Sequence, residues 1–119
     1  MRKVKKTNPN LISLIELLRT EGYTNEVPLW IALSKRLSKP TRHTAEVNLS
    51  RINRYTKEGD TVVIPGKVLG AGSLDHKVTV AAFTFSQSAR EHINAVGRTL
   101  SIEELVKENP QGTGIRLME

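Results

Sequence analysis

Cysteine is absent from the 119 residues. That excludes a disulfide framework, a thiol nucleophile and any Cys-based zinc site. No apolar run approaches the ~18 residues of a spanning helix, so the sequence predicts a soluble protein. The basic opening, Met1 to Lys6, is followed by an amphipathic stretch rather than a continuous apolar one, which argues against a signal peptide. His43, His76 and His92 are scattered, and no nucleophile–base–orienter set can be assembled around them. Asp75 and His76 are adjacent, but neighbours on an extended chain point apart. The chain also lacks the Gly-Lys-Ser/Thr ending of a P-loop, the spacing of a dinucleotide fingerprint and a Gly-x-Ser-x-Gly elbow. No enzymatic activity, cofactor or metal is expected.

What is present in excess is positive charge. Lys and Arg number 18 against 12 acidic residues, a net of +6. Residues 1–60 hold 12 basic and 6 acidic side chains, whereas residues 61–119 hold 6 of each. From Lys35 to Lys57 there are seven basic residues and one acid, Glu46. A one-sided basic field is the footprint of a nucleic-acid partner, because neutralised phosphates release counterions. A cationic surface kept for solubility is the plainer alternative.

A chain of this length makes one domain, which divides here into a basic arm (1–7), a basic helical part (8–57) and a compact α/β core (58–119). Asn8 and Pro9 suit a helix start, the apolar residues from Leu11 to Leu18 recur at helical spacing, and Gly22 reads as the stop. A second helix begins near Pro28, carries Leu29, Trp30, Leu33 and Leu37, and ends by Pro40; it packs antiparallel on the first. Trp30 lies in the apolar stripe and reads as core rather than as a base-stacking ring. Val47-Asn48-Leu49 suggests a short strand. Ser50 then caps a short helix with Arg51 and Arg54 on one face and Ile52 and Tyr55 on another. Two strands follow, Thr61–Ile64 and Val78–Phe83, with Phe83 and Phe85 pointing the same way into the core. Ser86 caps a helix that stops at Gly97, and Ser101 with Glu104 forms a capping box for a helix ending before Asn109-Pro110. Ile115–Met118 suggests a last short strand.

Between the two central strands lies Pro65-Gly66-Lys67-Val68-Leu69-Gly70-Ala71-Gly72-Ser73-Leu74-Asp75-His76-Lys77. Pro65 withholds an N–H, so the first strand should stop there or run at an edge. The glycines permit turns and close approach, and Lys67 and Lys77 place ammonium groups at the ends of the stretch, an arrangement suited to phosphates.

Residues 61–70, with Leu74 and 77–82, resemble the ribosomal protein L18e family of archaea and eukaryotes, a relative of the L15 ribosomal proteins. The resemblance extends to Thr7-Asn8-Pro9, Val47–Ile52, Phe85-Ser86, Ala89, Glu104-Leu105, Asn109-Pro110, Gly112 and Arg116. It implies an α/β fold in which N-terminal helices precede an irregular strand-strand-helix superhelix with short strands. It also implies a cytoplasmic, structural, non-catalytic component of the large ribosomal subunit that binds ribosomal RNA beside neighbouring ribosomal proteins, one copy per particle and without membrane contact. The C-terminus at Glu119 is more similar to the archaeal form.

Physical reasoning then places RNA contact at the arm (Arg2, Lys3, Lys5, Lys6), at Lys35, Arg36, Lys39, Arg42 and His43, at Arg51, Arg54 and Lys57, and at Lys67, Gly70, Gly72 and Lys77. The acidic helix bearing Glu103, Glu104 and Glu108 should face solvent or protein. A free-standing RNA-binding module is the alternative from another class, and a small enzyme acting on ribonucleotides through His76 or His43 is a second.

Overall fold

The computed structural model describes residues 9–38 and 45–119. Along them run α1 (Pro9–Asn25), α2 (Pro28–Leu37), β1 (Ala45–Asn48), α3 (Leu49–Tyr55), β2 (Asp60–Leu69), β3 (Val78–Phe85), α4 (Gln87–Val96), β4 (Arg98–Ser101), α5 (Ile102–Glu108) and β5 (Ile115–Leu117). The class is α/β, as the sequence predicts.

The N-terminal pair departs from expectation at Gly22. α1 runs past it to Asn25, and the chain turns at Glu26, whose φ of 58° is left-handed, with the Val27 N–H donating to Gly22 O at 2.8 Å. Gly22 instead permits close packing of α2, since a Cβ there would lie 2.6 Å from Ile31 Cγ1. Trp30 is fully buried and its Nε1–H donates to Pro110 O at 2.8 Å, which satisfies its one polar atom inside the core.

All strand pairings are parallel. β3 flanks β2 along its length, so β1 and β5 both lie on the other side of β2. β1 pairs with its second half (Ala45 with Gly66 through Asn48 with Leu69), and β5 with its first half (Ile115 with Thr61 through Leu117 with Val63). β4 closes the far edge beside β3. Alternation along the strands creates two cores. Val62, Ile64, Val80 and Ala82 face α3 and α4, through Leu49, Ile52, Ala89 and Ile93. Val63, Ala81 and Leu100 face α1, α2 and α5, through Leu18, Trp30, Leu33, Ile102 and Leu105. The steps β1 to β2 to β3 to β4 move across the sheet in one direction with their connections on the first face. The return from β4 to β5 reverses direction and carries α5 over the second face. Right-handed crossovers require this change of face when the direction reverses.

Pro65 does not end the strand. β2 continues to Leu69, and Pro65 sits at the register shift between Ile64 and Lys67, a bulge where a missing N–H leaves no ladder bond unmade. At Gly66 the neighbouring strand comes so close that a Cβ would lie 2.1 Å from Ala45 O. The two phenylalanines separate as well: Phe83 packs with the second core and Phe85 with the first. β4 is a strand that sequence reasoning missed, because Arg98–Ser101 carries a single buried residue, Leu100.

Candidate nucleic-acid interface

The site is built on α3. Leu49, Ile52 and Thr56 form its buried stripe at spacings of three and four, which turns Arg51 and Arg54 outward. Thr56, rather than Tyr55, continues the stripe. Tyr55 is therefore 52% exposed instead of sharing the core face with Ile52, and the Arg54 guanidinium carbon lies 5.9 Å from the centre of its ring. Asn48, not Ser50, occupies the N-cap position, and the Ser50 N–H donates to Ala71 O at 3.1 Å. Arg54 in the last turn also suits the negative end of the helix dipole.

Residues 70–77 form the crossover from β2 to β3 and contain no helix. They return along α3 as an extended strap. Ala71 meets Ser50, the Asp75 N–H donates to Asn53 Oδ1 at 3.2 Å, His76 Nε2 lies 2.7 Å from Thr56 Oγ1, and the Gly59 N–H donates to Lys77 O at 2.8 Å. Leu74 anchors the strap in the first core. Gly72 is required where strap and helix meet: its φ is 94°, and a Cβ would lie 2.6 Å from Ser50 Cβ. Because the strap spans the sheet, Lys67 and Lys77 are not brought together. Lys67 pairs with Thr84 near the end of β3, and Lys77 immediately precedes its start. Seven residues of strand separate those positions, roughly 23 Å at the usual rise. Lys77 instead joins Lys57 near the C-terminal end of α3, while Lys67 lies beside Glu46 across the β1–β2 ladder. Gly70 lies against Ser88 at the start of α4.

Asp75 and His76 do not point apart, since the strap is not a pleated strand. Asp75 Oδ1 lies 3.1 Å from His76 Nδ1, and the imidazole holds the Asp75 carboxyl below its ordinary value, chiefly through this hydrogen bond. Thr56, His76 and Asp75 thus stand in the order of a nucleophile, base and orienter. The chemistry does not follow. The Thr56 hydroxyl is buried and donates its only proton to Ile52 O at 2.7 Å, so it has none to yield to His76. The set fastens the strap to the end of α3.

Charge is distributed unevenly between the described residues and the rest of the chain. Arg2, Lys3, Lys5, Lys6, Lys39, Arg42 and His43 lie outside the described residues. The segments 1–8 and 39–44 hold six of the 18 basic residues and none of the acidic ones, so the described part carries 12 of each. Within it, the ion pairs leave the arginines of α3 unengaged. Arg98 holds Glu108 at 2.8 Å and keeps that carboxyl below its ordinary value, Lys107 reaches Glu103 at 3.5 Å, and Arg36 is bound to Glu119. Glu104 is spent on the capping box with Ser101. Among the described residues, the charged groups of Lys35, Arg51, Arg54, Lys57, Lys67 and Lys77 have no carboxylate within 4.0 Å and all six residues are exposed, although the Lys57 backbone N–H donates to Asp60 Oδ2 at 2.8 Å. Arg116 belongs with them and was missed. It stands on β5, is exposed, and donates from Nη1 to Tyr55 O at 2.7 Å, across 61 residues of sequence. No pattern in the sequence signals that contact, which arises from the return of β5 to the edge of β2. Among the described residues no cluster of three His, Asp or Glu could hold a metal ion, and no helix is long and apolar enough to cross a membrane.

Residues 1–119 match the family described as ribosomal protein 60S L18 and 50S L18e. The chain is similar to proteins named large ribosomal subunit protein eL18. It is 51% identical to that of Methanococcus maripaludis over 119 residues, 99% of both chains. It is 50% identical to that of Archaeoglobus fulgidus over 116 residues, 97% of this chain and 99% of the other. It is 48% identical to that of Methanothermobacter thermautotrophicus over 120 residues, covering 100% and 99%.

Proposed function

The chain belongs to the ribosomal protein L18/L18e family, a family of structural rather than enzymatic components, and from that premise we propose that it binds and stabilises ribosomal RNA in the large subunit. The observation that carries the reading is the row of exposed cations on α3 and its C-terminal turn, Arg51, Arg54 and Lys57, with no carboxylate within ion-pair distance among the described residues. An ion pair inside the protein would compete with phosphate for a guanidinium; here no such competitor stands. Lys77 extends the row, and the cationic segments 1–8 and 39–44 add charge that the balanced remainder does not cancel. Phosphate and shape contacts dominate, since paired RNA hides its base edges in a deep groove. Lys67, beside Glu46, and Arg36, bound to Glu119, contribute less than the α3 row. The acidic face formed by α5 meets solvent or neighbouring ribosomal proteins. The protein acts as one copy in the cytoplasmic ribosome.

The test is the salt dependence of binding to deproteinised large-subunit RNA. Replacing Arg51 and Arg54 together by Ala weakens binding and lowers the slope of log K against log salt by about 1.4–1.8, the share of two phosphate contacts. An unchanged affinity and slope would remove α3 from the interface.

A further inference from the structure

We infer that the cleft between α3 and β5 holds one unpaired ribonucleotide, with its base against Tyr55 and its phosphate between Arg51 and Arg116. The inference rests on the RNA-binding reading above and adds to it a subsite and a type of contact. The cleft has a volume of about 370 Å³ and is lined by Arg51, Tyr55, Arg116, Leu117, Met118 and Glu119.

Three features of the cleft point to a nucleotide rather than to an anion alone. The first is the ring. Tyr55 lines the cleft and is half exposed, although a shift of one position along α3 would have buried it in the place that Thr56 takes. A large aromatic left out of a core that has so few aromatic residues (five in the chain) offers a flat face for stacking. The second is the pair of guanidiniums. Arg51 and Arg116 come from elements distant in sequence and approach the cleft from its two walls. Arg116 is held by one hydrogen bond to Tyr55 O, which fixes its position and leaves its other N–H groups open to phosphate oxygens. The third is the treatment of the one acid in the cleft. Glu119 is bound to Arg36, so its charge is already answered by a cation other than Arg51 or Arg116. An acidic peptide would engage the two guanidiniums and leave the ring unmatched. An unpaired nucleotide uses both, with Leu117 available to the edge of the sugar or base.

The experiment is filter binding of the full chain to deproteinised large-subunit RNA across a range of salt concentrations, with Tyr55→Ala, Tyr55→Phe and Arg116→Gln. Tyr55→Ala weakens binding by about 5- to 160-fold, the loss of one stacked base, whereas Tyr55→Phe stays within about twofold. Because the ring is neutral, Tyr55→Ala leaves the salt slope as it was. Arg116→Gln weakens binding and lowers the slope by at most about 0.7–0.9, the share of the one phosphate it holds with Arg51. A urea melt of each variant confirms that the fold is retained, as expected for residues this exposed. If Tyr55→Ala binds like the unmodified chain, the nucleotide subsite is wrong while RNA binding stands. If Tyr55→Ala binds RNA normally but fails to enter the particle, the cleft receives a protein neighbour and the inference is likewise overturned. If the unmodified chain does not bind the RNA, the RNA-binding reading itself fails.

Discussion

At Gly66 a single hydrogen in place of a methyl group determines how the sheet edge closes. β1 reaches β2 just after the bulge at Pro65, and a Cβ at residue 66 would meet Ala45 backbone at 2.1 Å from the oxygen and 2.8 Å from the carbon. Backbone cannot rotate away as a side chain can, so the strand must shift. Gly66→Ala is expected to destabilise the protein by about 1–3 kcal/mol, the usual cost of overpacking, read as a lower urea midpoint with an unchanged m-value. An unchanged midpoint would show that β1 adjusts freely. Residues with a local signal were legible in the sequence: Ser101 with Glu104, Ser86 before Ala89, and Trp30 in its stripe all stand where their chemistry predicts. Gly22 and Tyr55 were not. A glycine reads the same whether it ends a helix or admits a neighbouring one. The two candidates for the buried stripe of α3, Tyr55 and Thr56, differ by one helical step, which only the packing of the strap decides.

At the scale of elements, the strap is the unusual connection. Parallel strands are ordinarily joined through a helix that covers the sheet. Here residues 70–77 make the return in extended form, and α3 and α4 cover the face instead. Its fastening at His76 and Asp75, and the Arg98–Glu108 pair that ties β4 to α5, both involve carboxyls held below their ordinary values. A carboxyl with a depressed folded value stabilises the protein above its unfolded value, 3.8 for Asp75 and 4.5 for Glu108, and loses that contribution as the pH falls through the folded value. Stability is therefore expected to fall on acidification below those unfolded values, with the acid limb shallower in Asp75→Asn and Glu108→Gln. Urea midpoints taken across that range check this. Equal acid limbs in all three proteins would show that neither contact persists in solution. The strap was legible as a glycine-rich connection but not as a crossover, because Pro65 suggested a strand end. A bulge and an end have the same sequence signature until the partner strands are known.

For the whole molecule, the class and the arrangement of helices before a strand-rich half were legible, since hydrophobic periodicity carries them. The parallel order of the sheet was not, nor was the place of β5, which rest on pairings between distant segments. The same holds for the proposed interface. The basic first half was visible as composition, whereas the union of Arg51 and Tyr55 with Arg116 depends on β5 returning to the edge of β2. Acids on the described residues are matched in number by bases, two of them through ion pairs on the α5 side, while the charged groups of Arg51 and Arg54 on α3 have no carboxylate within ion-pair distance among those residues. A surface of this kind should bind through many phosphates at once and respond steeply to salt when the RNA is free.

Sedimentation of native lysate through a sucrose gradient, at low and then at high salt, tests the central claim most directly. The protein is expected to travel with the large subunit at both, because contacts shared among several segments and enclosed within a particle resist screening better than isolated surface pairs. If it stays near the top of the gradient at low salt, it is not a component of the large subunit, and the ribosomal role proposed for it is contradicted.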